Sequence, residues 1–304
     1  MFRNIVVGYD GRERGGDAVA LAERLRDPRL GKFLLVSAYP VTMLPAEPLA
    51  IVERRDVVEL AAEASLTEAR MLLAADVPVQ VSVVPAASPA RALTELAERD
   101  GADLVVVGST HRGKVGRVVP GTTAERLLHG APCAVAVAPR GYAGDRLRHI
   151  GVAYDGSPEA EAALDTAEAI ALECGVALTC YCVVEPAGWA DGMIAAGTGA
   201  EWPSKTLERH ARQMLTAVTD HAPEGIELET RLLRGEPAEQ IARTAADGLD
   251  LLVLGSRGYG PLRRALLGTV SGRLVRESMC SVLVMPRSAV VPRRVPATAA
   301  ATNA

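Results

Sequence analysis

The sequence predicts an α/β protein built as two tandem, doubly wound parallel sheets, and three features predict it. First, the chain overlays on itself when displaced by about 147 residues: NIVVGYDG (4 to 11) meets HIGVAYDG (149 to 156), ADLVVVGS (102 to 109) meets LDLLVLGS (249 to 256), and APCAVAVAPR (131 to 140) meets SMCSVLVMPR (278 to 287). Second, short apolar runs alternate with longer segments of helical period in each copy. Third, runs such as DLLVLG are apolar without interruption, as strands buried on both faces of a parallel sheet should be.

The second copy shows the elements most clearly. A strand at 148 to 154 is followed by a helix from Pro158, with Ser157 as its cap and proline in its first turn. Then come a strand at 176 to 184, a helix at 204 to 221, a strand at 226 to 233 and a helix from Pro237. A strand at 250 to 254 leads into a glycine loop, a helix at 269 to 278 and a last strand at 280 to 285. The small drifts in spacing between copies fall in loops. The expected units are 1–143 and 144–288, with 289–304 a disordered tail.

The last strands, AVAVAP and SVLVMP, have no following helix in their own copy to cover them. They are expected to pair with each other, making a pseudo-dimer of the two halves, or with those of a second chain in a homodimer. Cys180 and Cys182 sit two apart and share one strand face, which fits buried packing. The irregular segments are 40 to 56 and 185 to 203; the second holds Trp189 and Trp202, as a lid, a partner surface or a loop packed on the sheet edge.

Ligands of open parallel sheets settle beyond the carboxyl ends of the strands, where strand order reverses. Two features of each copy lie at such ends. One is the close of strand one, with Gly8 and Asp10 in the first copy and Asp155 in the second. The other is the glycine loop, Gly255, Ser256, Arg257 and Gly258, which ends at Gly268, Thr269, Val270 and Ser271. Glycines at 255 and 258 would let backbone N–H groups approach phosphate oxygens. Gly268 and Thr269 open a helix whose first amides lack partners and attract anions. Thr269 and Ser271 offer hydroxyls, Arg263 and Arg264 could fold over phosphates, and Asp155 could reach a ribose hydroxyl or the adenine edge.

In the first copy the loop reads GSTHRGKVGRVVPGTT, giving Gly108, Ser109, Gly121, Thr122 and Thr123. His111 stands where the second glycine belongs, with Gly113 two places on. If that position is left-handed, a non-glycine residue costs about 1–2 kcal/mol. Either Gly113 takes over the turn or this site is the weaker.

Composition excludes several classes. A net charge of -4 leaves no basic field for nucleic acid. No apolar run approaches the roughly 20 residues that cross a bilayer, and the opening MFRNIVVGYDG enters a strand pattern at once, so a cytoplasmic protein with no membrane segment is expected. Five cysteines make no disulfide framework, and no histidine spacing suggests a metal site. There is no GxxxxGK[ST] and no GxSxG elbow, and the loops share no carboxylate or histidine to activate water. No catalytic residue is assigned, and any ATP hydrolysis should be slow.

The pattern GxxG, nine residues, then glycine and a hydroxyl resembles the nucleotide loop of the universal stress protein family; Gly255, Gly258, Gly268 and Thr269 fit it without departure. The resemblance extends to VAYDGS, GEPAEQI and LLHGAPCAVAVAP, nearly the whole chain. It implies strand order 3-2-1-4-5 in each copy and an adenine-nucleotide site, with Val183 and Ala38 nearest the adenine. ATP, with or without Mg²⁺, is the expected ligand, and AMP or cyclic AMP the alternatives. The expected role is a nucleotide-responsive module in stress adaptation with regulatory protein partners still unknown. The rival is a scaffolding dimer that has lost nucleotide binding in one or both halves.

Overall fold

The structure, a computed structural model, describes residues 1–39, 48–110, 115–144, 146–185, 203–256 and 267–286. The first copy runs β1 (Asn4–Gly8), α1 (Glu13–Leu25), β2 (Lys32–Tyr39), α2 (Pro48–Met71), β3 (Val79–Pro85), α3 (Pro89–Arg99), β4 (Leu104–Gly108), α4 (Thr122–Gly130) and β5 (Ala134–Ala138). The second repeats it: β6 (His149–Ala153), α5 (Pro158–Cys174), β7 (Ala177–Val184), α6 (Pro203–Asp220), β8 (Leu228–Arg234), α7 (Pro237–Ala246), β9 (Leu251–Gly255), α8 (Thr269–Glu277) and β10 (Ser281–Met285).

All ten strands form one sheet in the order β3-β2-β1-β4-β5-β10-β9-β6-β7-β8. Each copy therefore has the order 3-2-1-4-5, and its strands are parallel. The two copies meet through an antiparallel pairing of β5 with β10, in the register Val137 opposite Val282, Ala136 opposite Leu283 and Val135 opposite Val284. Of the two partnerships open to the last strands, the structure shows the one within the chain.

Alternation along each strand feeds two cores, one per face. Ile5, Val7, Leu104, Val106, Leu283 and Met285 face α1, α2, α5 and α6, while Val6, Val105, Val107, Val282 and Val284 face α3, α4, α7 and α8. Both cores run through both copies. Cys180 and Cys182 do share one face and are buried. Burial pushes the Cys182 thiol up to about 11, so it is a neutral packing group at ordinary pH.

Two matching aspartates fix the neighbours of the first strand of each copy. Asp103, just before β4, accepts the N–H groups of Arg3 at 2.7 Å and Asn4 at 2.9 Å. Asp250, just before β9, accepts those of Arg148 at 2.7 Å and His149 at 3.0 Å. They hold β1 beside β4 and β6 beside β9, where strand order reverses.

One sequence expectation is corrected. Residues 48–56, read as irregular, are the first turns of α2. Pro48 is a favourable first helical residue and nothing in LAIVERRDV breaks a helix, but the segment is apolar on several sides and shows no clean period. The segments holding Trp189 and Trp202, and the tail, lie outside the described residues.

Candidate functional site

At the reversal point of the first copy lies a cleft of about 630 Å³, within the range of small-molecule sites. Its walls include Gly8 at the end of β1 and Asp10 beyond it, Ala38 on β2, Gly108 at the end of β4 and Ser109 beyond it, and Gly121, Thr122 and Thr123 at the mouth of α4. The structure thus brings together every described residue that sequence reasoning placed in this site. Gly113 lies outside the described residues, as does His111.

The mouth of α4 carries the electrostatics. Gly121 is its N-cap, in extended backbone, and supplies no side-chain cap. Its carbonyl accepts from Glu125 at 2.9 Å, closing the first turn. The amides of Thr122, Thr123 and Ala124 precede that turn and have no acceptor among the described residues. By contrast α5 is capped by Ser157 and α7 by Glu236. The α4 mouth is thus an uncapped positive helix end facing a cleft.

Sequence reasoning missed three contributors. Thr110 lines the same wall, and its Oγ1 is buried with no hydrogen-bond partner among the described residues. Val119 shapes the loop: it donates to and accepts from the Ser109 hydroxyl and accepts the Thr110 N–H at 2.8 Å. Arg14, from the first turn of α1, lines the cleft and donates through Nε to the Asp10 carboxylate. Thr110 and Val119 lie inside the loop that the sequence singles out but carry neither its glycine nor its helix-mouth signal, and Arg14 comes to the cleft because α1 packs on the end of β4.

The second copy repeats the frame. Gly268 caps α8 without a side chain, and its N–H donates to the Ser256 carbonyl at 2.7 Å, drawing loop and helix mouth together. Thr269 and Val270 are exposed there. Asp155 is exposed beyond β6, with its Oδ1 accepting the Ser157 N–H at 3.0 Å. Val183 is half-buried on β7, beside Leu233 of β8. Arg257, Gly258, Arg263 and Arg264 lie outside the described residues.

Two expected roles change. The space saved at Gly255 goes to packing: a Cβ there would lie 2.8 Å from the Glu159 carbonyl carbon and 2.9 Å from its Cβ. At Gly108 a Cβ would lie 2.0 Å from the Arg14 carbonyl oxygen. These glycines let α5 and α1 start against the strand end, and neither has a positive φ. The Ser271 hydroxyl, expected as a ligand donor, is buried and gives its proton to the Gly255 carbonyl at 2.7 Å. Ser109 likewise spends its hydroxyl on Val119, so both serines hold the loop against the helix.

Comparison with known proteins agrees with this frame. The Universal stress protein family matches residues 1–139 and again 146–286. Universal stress protein Rv2319c of Mycobacterium tuberculosis is 30% identical over 295 residues, covering 93% of this chain and 99% of its own. The crystal structure of a universal stress protein from Archaeoglobus fulgidus is 19% identical and superimposes with a TM-score of 0.66, covering 93% of this chain and 96% of that one. A universal stress protein crystallised in complex with cAMP is 22% identical, covers 46% of this chain and 98% of its own, and has a TM-score of 0.36. The chain belongs to the universal stress protein family and carries its domain twice in tandem.

Proposed function

We propose that this protein binds ATP, accompanied by Mg²⁺, at the reversal point of each copy and passes the nucleotide state to partner proteins in stress adaptation, in the cytoplasm. The units that bind are 1–143 and 144–288. One observation carries the reading: a helix end with no side-chain cap opens into a nucleotide-sized cleft. Phosphate oxygens suit that mouth, since they accept from free amides and oppose the helix dipole. Asp10 lines the same cleft and Asp155 follows β6 at the matching position, where ribose hydroxyls or an adenine amine can donate.

The test uses the helix mouths themselves. Gly121→Asp and Gly268→Asp each place a carboxylate where the phosphate would sit, at N-cap positions already in extended backbone. Each variant should change stability by only a few tenths of a kcal/mol, the margin between glycine and aspartate at an N-cap, with Thr110 Cγ2 giving way to the new Cβ at position 121, and should lose one ATP site in titration calorimetry. Unchanged ATP stoichiometry in the double variant refutes the reading. AMP or cyclic AMP binding more tightly than ATP, lost in the same variants, would keep the site and change the ligand.

A further inference from the structure

The two copies differ at one position of the site in a way that reverses its chemistry. The helix turn that packs on Gly108 presents Arg14, and the turn that packs on Gly255 presents Glu159. Packing makes the positions equivalent, yet one side chain is a guanidinium and the other a carboxylate.

The consequence shows at the aspartate beyond the first strand. In the first copy both Asp10 oxygens are engaged: Oδ1 accepts the Arg12 N–H at 3.3 Å, and Oδ2 accepts from Arg14 Nε. That leaves the two Nη groups of Arg14 without a partner among the described residues, on a side chain that lines the cleft. In the second copy the Oδ2 of Asp155 has no partner among the described residues. The first copy therefore offers paired N–H donors with positive charge where the second offers a carboxylate oxygen.

Nucleotide sites use this difference. An acidic side chain accepts the hydroxyls of an unmodified ribose, whereas an arginine accommodates a phosphate on that ribose. The guanidinium fork matches two phosphate oxygens at once, and a carboxylate repels them. We propose that Arg14 makes the first copy prefer adenine nucleotides whose ribose bears a phosphate ester over those with a free ribose such as ATP, while the second copy prefers the free ribose. The assignment rests on the nucleotide reading above and deepens it. Asp10 then holds the fork in place through Nε, leaving both Nη groups for the ester.

Titration calorimetry of the full chain tests this with adenosine 2′,5′-bisphosphate, its 3′,5′ isomer and AMP as probes. One bisphosphate should bind a single site at least about tenfold more tightly than AMP, the margin expected of a charged hydrogen bond. The heat belongs to the first copy if Gly121→Asp removes it. Arg14→Glu should abolish the margin, and Arg14→Lys should keep part of it, since a point charge remains without the fork. Melting curves establish that the variants are folded. Bisphosphates no tighter than AMP, or a margin that survives Arg14→Glu, overturn the assignment while leaving the nucleotide reading intact. Absence of binding by every adenine nucleotide overturns both.

Discussion

At the residue scale, the glycines of the loop divide into those that make room for protein and those that leave a helix end bare. Gly255 is of the first kind, and its substitution tests the distinction. Gly255→Ala drives a methyl into the Glu159 backbone, which has no rotamer with which to yield. We expect a loss of about 1–3 kcal/mol, as overpacking brings, read as a lower urea midpoint without ligand. Gly108→Ala should cost at least as much, because the obstacle is the Arg14 carbonyl oxygen. The sequence showed that glycine was needed at these places but not which neighbour needed it, because Gly108 and Arg14 are joined only by the fold. For the same reason Arg14 was invisible as a lining residue of the cleft, while Gly121 and Thr122, whose contribution is made by their own backbone, could be read directly.

At the scale of elements, α1 serves both the site and the joint between copies. Its first turn lends Arg14 to the cleft, and Asp17, one turn on, accepts the Gly141 N–H at 3.0 Å where the chain leaves β5. Asp17 is 5% exposed, and burial raises its pKa above the usual carboxylate value of 3.8 against the pull of its N–H donors. The folded state therefore holds the Asp17 proton more tightly than the unfolded chain does. Its contribution to stability is fullest below the unfolded value and declines as pH rises through the higher folded one. Asp17→Asn does not titrate, so the stability of the parent protein relative to this variant should fall as pH rises from about 4 and then level off. Urea unfolding of both proteins across that range measures it; a difference independent of pH would show that burial does not shift this group. The strands were legible because their apolar runs are continuous and bounded by glycine or proline. The start of α2 was not, because a helix apolar on several sides shows no period.

At the scale of the molecule, both cores run from one copy into the other and the seam lies at the centre of the sheet. Leu283 is fully buried there opposite Ala136. Leu283→Ala should cost about 2–5 kcal/mol, as deletion of a buried leucine does. The tandem chain should also unfold in one transition, with calorimetric and van't Hoff enthalpies in agreement and both halves shifted together. Two separated transitions, only one of them moved by Leu283→Ala, would show that the halves are energetically independent.

The antiparallel seam also decides where the chain can be touched. Every strand of one half points against every strand of the other, so the carboxyl ends of the strands, where the two candidate sites lie, open on opposite rims of the sheet. A flat binding surface laid against one rim cannot sense the other. A partner that responds to both candidate sites must reach from one rim to the other, or two partners must bind, one on each.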